Sequence, residues 1–252
     1  GTLGARTARL LAPVELPPGE EPPPGGMRGV WMTDPAELSA YATRAAEAGI
    51  ATQIHAIGDE AVRVSLEILA PTARRTPFAP RLEHVQLLDP ADRGRFATDG
   101  IAASVQPIHL RSDADKARVL WGERAEAYGY PWATIAASGA LMPFGTDAPV
   151  EPIDPWPGIA MAVTRLDPDW RTGARPFGPT ERLSLPRALR SASLDAPRSA
   201  GEEDRGRLTV GHRADLVVIP AAAVDSVVEP GGPLATCRPH LVLMDGEVVF
   251  EA

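Results

Sequence analysis

Short apolar segments alternate with helix-like segments along residues 35–147, and this alternation constrains the fold more than any other feature. Strands are predicted at Ile50–His55, Leu82–Val85, Ile101–Val105 and Leu141–Gly145. Helices are predicted around them, over about Pro35–Ala48, from Gly58-Asp59 onward, over Pro90–Thr98 and from about Ala114 to Ala127. This spacing indicates parallel βα units, in either a barrel or an open doubly wound sheet. Four such units make about half of an eight-stranded barrel.

The segments on either side of these units have a different character. Residues 1–33 are rich in proline and glycine, which predicts a long loop that ends where Thr33 or Asp34 caps the first helix. Beyond Asp147, helices are predicted at Gly158–Val163 and near Leu185–Ala192. The tail is β-rich, with strands predicted at Leu216–Ile219 and Leu241–Phe250 and a hairpin turn at Asp245-Gly246.

Composition excludes several classes of function. The formal net charge of −8 gives no basic footprint for nucleic acid or an anionic membrane surface. No apolar run approaches the roughly 20 residues that span a bilayer. The single cysteine, Cys237, rules out an intramolecular disulfide framework and cannot form a structural zinc site by itself. We therefore expect a cytoplasmic protein whose partners include neither nucleic acid nor membrane.

Polar residues with metal-binding chemistry lie at the ends of the predicted strands. His55, His84, Gln106 and Asp147 each end one strand. Reactive side chains gather at the carboxyl ends of strands in parallel β/α folds, and neutral histidine with ionised aspartate suits zinc or a similar ion. Each residue also has a purely structural interpretation: a histidine that is a satisfied polar residue, or an aspartate that caps a turn. Spacing alone leaves both interpretations open.

Longer motifs surround these residues in a fixed order. They are Ile54–Val62, which contains His-Ala-Ile-Gly-Asp, then Arg81–Gln86, Ala103–Pro107 and Phe144–Pro152. This series resembles the amidohydrolase superfamily, and within it amidohydrolase family 3, which includes N-substituted formamide deformylases. The segments Gly1–Ala8, Gly206–Leu208 and Gly211–Val218 also resemble family segments, so that the likeness covers nearly the whole chain.

The resemblance implies a fold and a set of site residues. Residues 1–200 would form the C-terminal half of a TIM-like (β/α)8 barrel, about strands 5–8, and residues 201–252 the C-terminal strands of a β-sandwich. His55 and His84 would be metal ligands, and Asp147 both a ligand and the general base. The cofactor would be one or two divalent ions, with zinc as the first expectation.

Three further residues take supporting roles by the same resemblance. Gln106 and His109 would line the substrate pocket, although a polar loop contact explains both equally well. Asp59 is expected to anchor the loop behind the ligands rather than bind metal. The substrate would be a small amide-type molecule, hydrolysed at a C–N bond by metal-activated water, and a homo-oligomer is compatible with this interpretation.

The sequence also departs from the family pattern. The family has a His-x-His pair on its first barrel strand, and none of the five histidines here forms one. Lys116, the only lysine, is in the wrong place to be the family's bridging lysine. We therefore expect an N-terminal half of the same barrel as a partner, supplied either by a separate piece or by a longer polypeptide. The alternative is a truncated, non-catalytic homologue that acts as a binding or assembly subunit.

Overall fold

The computed structural model describes residues 1–166, 175–225 and 228–252. They divide into two compact units, one of Gly1–Val105 with Ser112–Met142 and the other of Gln106–Arg111 with Pro143–Ala252. Three parallel strands alternate with helices in the first unit, which confirms the expected α/β fold. None of the helices within the described ranges is long and apolar enough to cross a bilayer.

The helices and strands of the first unit follow the predicted order. They are α1 (Pro35–Glu47), β1 (Gln53–Ala56), α2 (Asp59–Leu69), β2 (Arg81–His84), α3 (Arg95–Asp99), β3 (Ala102–Ser104), most of α4 (Leu110–Trp121), α5 (Glu123–Tyr128) and α6 (Trp132–Ala137). Asp34 caps α1 as predicted, because its carboxylate accepts hydrogen bonds from the backbone N–H groups of Ala36 and Glu37. The short helix α6 has no counterpart in the prediction.

A small parallel sheet forms the centre of the first unit. Its strand order is β1-β2-β3, with Ile54 beside Leu82 and Leu82 beside Ala103. These side chains are buried, and α2 adds the buried Val62 and Leu66. The apolar runs in the sequence therefore fold as buried parallel strands, as expected for strands covered by helices.

Two predicted helices are interrupted in the structure. The segment predicted as one helix at Pro90–Thr98 forms a 3-10 turn, Pro90–Asp92, followed by α3. The helix predicted over residues 114–127 begins earlier and breaks at Gly122, whose φ is 55°. Glycine adopts this positive φ without steric cost, and the carboxylate of Glu15 from the N-terminal loop lies where a Cβ at this position would be, 2.0 Å from Oε1.

The fourth strand predicted at Leu141–Gly145 does not form as a strand, and within this segment Phe144 is an isolated β-bridge residue. Within the first unit, the N–H of Ala103 donates a hydrogen bond of 2.9 Å to the carbonyl of Leu141. This is the kind of bond that β3 would make to a neighbouring strand. Pro143 has no N–H to donate to a ladder of hydrogen bonds, which interrupts regular pairing along this segment.

The second unit contains helices and an antiparallel sheet. Its elements are α7 (Trp156–Thr164), α8 (Leu185–Arg190), a π-helix (Ser191–Asp195), α9 (Ala196–Ser199), β4 (Leu216–Val218), α10 (Ala222–Asp225), β5 (Leu241–Met244) and β6 (Glu247–Glu251). The predicted hairpin is confirmed: β5 pairs with β6 across Asp245 and Gly246, whose φ values of 50° and 85° suit a tight hairpin turn.

The N-terminal loop passes close to the start of α2 at Gly58. A Cβ at Gly58 would lie 2.1 Å from the backbone oxygen of Arg9, so only glycine fits there without a backbone shift. We expect Gly58→Ala to lower the free energy of unfolding by about 1–3 kcal/mol through overpacking, as measured by urea denaturation.

The matched control is Gly94→Ala. Gly94 has a φ of −85°, and nothing lies within 4 Å of a Cβ placed on it. Alanine is therefore expected to be neutral or slightly stabilising there. Equal losses in the two variants would contradict a requirement for glycine at Gly58.

Candidate metal centre

Two of the predicted ligands, His55 and His84, meet in the first unit. Their ring centroids are 4.6 Å apart, with the ring planes inclined at 69°. In the parallel register His84 lies opposite Ala56, so a regular strand would point its side chain to the face opposite His55. The backbone instead enters the left-handed region at His84 (φ 77°) and Val85 (φ 47°). This turn at the end of β2 brings the second ring to the first.

The tautomer of His55 follows from its hydrogen bond. Nε2 lies 2.9 Å from the carbonyl oxygen of Gly1. A carbonyl can only accept, so Nε2 carries the proton and the lone pair of the neutral ring is at Nδ1. Such a bond from the distal ring nitrogen to a backbone oxygen is typical of metal-binding histidines. His55 therefore presents a nitrogen that can coordinate a metal.

Asp59 anchors the N-terminal loop from a buried position. Its Oδ1 accepts the N–H of Leu11 at 2.9 Å and the N–H of Glu60 at 3.0 Å. A guanidinium nitrogen of Arg124 lies 3.9 Å from Oδ2, and Arg124 also donates to the carbonyl of Pro13 at 2.8 Å. Burial raises the pKa of Asp59, while the hydrogen bond from Leu11 and the charge of Arg124 act in the opposite direction. These contacts are those of a residue that holds a loop.

The second unit brings together His109 and Asp147. His109 is buried at the end of the 3-10 turn Pro107–His109, whereas the Asp147 side chain is 42% exposed. His109 Nε2 lies 3.3 Å from Asp147 Oδ2. Asp147 has a φ of 61°, an unfavourable backbone conformation that is common at functional sites. Gln106 is buried, and its carbonyl accepts the N–H of His109 at 3.1 Å.

The structure thus brings four of the predicted site residues together as two pairs. His55 meets His84 within the first unit, and His109 meets Asp147 within the second. The set predicted to bind metal, His55, His84 and Asp147, draws on both units and stays a prediction. The sequence assigned His109 only to a pocket, and its contact with Asp147 was missed because the two residues lie far apart in the chain.

Each unit also has a cavity beside its pair. In the first unit a cavity of about 510 Å³ is lined by His55 together with Arg9, Trp31 and Gln53. In the second, a cavity of about 240 Å³ is lined by Thr146, the neighbour of Asp147, together with apolar residues that include Phe144 and Ile159. Ligand sites in proteins are typically concave and largely apolar, with a few polar groups.

Comparisons with known proteins identify the family and the relatives of this chain. The profile of the Amidohydrolase family matches residues 1–250. The protein LONG AFTER FAR-RED 3 of Arabidopsis thaliana is 36% identical over 76% of this chain and 33% of its own length. YtcJ of Bacillus subtilis (strain 168) is 30% identical over 100% of this chain and 46% of its own length.

A solved structure is also similar to this chain. An uncharacterized metal-dependent hydrolase from Pyrococcus furiosus has a TM-score of 0.70 and 30% identity, over 85% of this chain and 41% of its own. The chain belongs to the Amidohydrolase family. It spans less than half the length of the curated relatives described above.

The raised pKa of Asp59 predicts a specific pH dependence of stability. The folded state binds a proton more tightly than the unfolded state, so stability is lost as pH rises from the unfolded value, about 4, through the folded pKa. An Asp59→Asn variant would keep a side-chain oxygen that accepts from Leu11 but would not titrate. Urea denaturation across this range should show wild-type stability falling relative to the variant. Parallel pH curves would contradict the assignment.

Proposed function

We propose that the chain supplies the metal site and general base of a metal-dependent hydrolase that acts on amide or related C–N bonds. The observation that carries the proposal is the meeting of His55 and His84 at the carboxyl ends of neighbouring parallel strands. Membership of the Amidohydrolase family and the likeness to a metal-dependent hydrolase support it.

The residues fit a divalent metal, for which zinc is the first expectation. We propose His55, His84 and Asp147 as ligands. The hydrogen bond to Gly1 leaves the His55 lone pair at Nδ1, and the partly exposed Asp147 carboxylate is a suitable oxygen ligand. When bound, such an ion polarises the substrate carbonyl and lowers the pKa of water towards about 7.

The proposed chemistry of this chain's residues is general acid–base catalysis. Asp147 accepts a proton from the water that attacks the substrate carbonyl carbon. The same carboxyl group then delivers that proton to the nitrogen as the C–N bond breaks, so the products are a carboxylic acid and an amine. Gln106 and His109 are proposed to line the substrate pocket, and Asp59 to hold the loop behind the ligands.

We propose that the fold is completed by further barrel strands. Residues 1–200 would belong to a (β/α)8 barrel and residues 201–252 to a β-sandwich, with an N-terminal half of the barrel as partner. The relatives support this proposal, because this chain covers only 41% of the solved metal-dependent hydrolase and 46% of YtcJ. The exposed Val248, Val249 and Phe250 of β6 offer apolar surface for such a partner.

The first test removes the proposed general base. Asp147→Asn keeps the shape of the side chain but cannot accept a proton, so turnover of a panel of N-substituted formamides and acetamides should fall by about 10²- to 10⁴-fold. Steady-state kinetics of the zinc-loaded protein, with its complementary half if that is a separate piece, measure the loss. Full activity in the variant would reject this role for Asp147.

The second test measures metal directly. His55→Ala and His84→Ala should each lower bound zinc well below that of the wild type, as determined by elemental analysis after dialysis. His240→Ala is the matched control, because that histidine is exposed in the second unit. A wild-type protein that holds no metal and hydrolyses no member of the panel would favour the non-catalytic alternative.

A further inference from the structure

We propose that His109 is a positioning residue that holds the Asp147 carboxylate in one orientation. The contact of 3.3 Å between His109 Nε2 and Asp147 Oδ2 carries the proposal. A carboxylate only accepts hydrogen bonds, so Nε2 faces it as an N–H donor. The catalytic consequence rests on the proposed function, whereas the structural consequence does not.

The His109 side of this contact is fixed by packing. All three residues of the turn Pro107–His109 are buried, and the N–H of His109 is bonded to the carbonyl of Gln106. Ile108 packs against Gly158 of α7, where a Cβ would lie at an ordinary contact distance of 3.7 Å. The imidazole therefore occupies a well-defined position.

The Asp147 side has much less support. Its side chain is 42% exposed, and its backbone lies in a left-handed turn closed by a hydrogen bond of 2.8 Å from Val150 N–H to Asp147 C=O. Among the described residues of this unit, His109 provides the only side-chain hydrogen-bond or ion-pair partner of this carboxylate. An exposed carboxylate with no such contact can adopt several rotamers, and ordering it costs free energy.

The difference in burial and packing between His109 and Asp147 assigns their roles. The fixed imidazole holds Oδ2 and leaves Oδ1 to accept the proton of the attacking water. Hydrogen bonds of this kind orient catalytic carboxylates and metal ligands, and their removal typically costs about 10- to 100-fold in activity or metal affinity. His109 would therefore act on the reaction through Asp147, in addition to its proposed place in the lining of the substrate pocket.

Two variants separate positioning from packing. His109→Leu fills the space without a donor, whereas the amide nitrogen of Gln in His109→Gln lies near the place of Nε2 and can donate to Asp147. In the zinc-loaded protein we expect His109→Leu to lower kcat by about 10- to 100-fold with little change in KM, and His109→Gln to restore most of it. His240→Leu, an exposed histidine of the same unit, is the control and should keep wild-type kcat. Equal activity of the Leu and Gln variants would overturn the proposal.

Crystal structures of the metal-free variants provide a readout that needs no activity. The Asp147 carboxylate should keep its place in the wild type and in His109→Gln, and should rotate or lose order in His109→Leu. An unchanged carboxylate in His109→Leu would overturn the proposal even if activity fell. If that variant does not fold, His109→Asn replaces it, because its shorter amide does not reach Asp147. A wild type without hydrolase activity would reject the proposed function, while the carboxylate position would still decide the role of His109.

Discussion

The buried carboxylate of Asp59 is the constraint on which the arrangement of the first unit depends. It accepts the N–H of Leu11 from the N-terminal loop and stands at the start of α2, next to the guanidinium of Arg124. Burial of a carboxylate is costly unless hydrogen-bond donors and positive charges compensate it. The positions of the N-terminal loop, of α2 and of α5, which carries Arg124, therefore depend on one another. The His55–Gly1 hydrogen bond forms on the loop that Asp59 fixes.

Two residues of the candidate site, His84 and Asp147, have a left-handed backbone conformation. His84, at the end of β2, and Asp147, in the turn closed by the Val150 N–H, both have positive φ values. Such conformations are unfavourable for residues other than glycine and persist only where surrounding contacts impose them. At His84 the turn rotates a ring across the sheet to His55, and at Asp147 it places an exposed carboxylate against a buried imidazole.

Local pattern predicted most of the regular structure. The three parallel strands, the cap of α1 at Asp34 and the hairpin at Asp245-Gly246 were predicted because each depends on neighbouring residues. The failures have backbone causes. The helix breaks at Gly122 through a positive φ at a single residue, and the fourth apolar segment, interrupted by Pro143, keeps only a β-bridge residue at Phe144.

The sequence by itself determined the βα alternation, the family and the residue types at the strand ends, because periodicity and motif order are properties of the chain. Only the tertiary structure decided which of those residues meet. The His55 tautomer depends on a carbonyl that is 54 positions away, and the pairing of His109 with Asp147 depends on two separate turns. Contacts between distant segments are set by packing and by backbone turns at single residues, which no local pattern encodes.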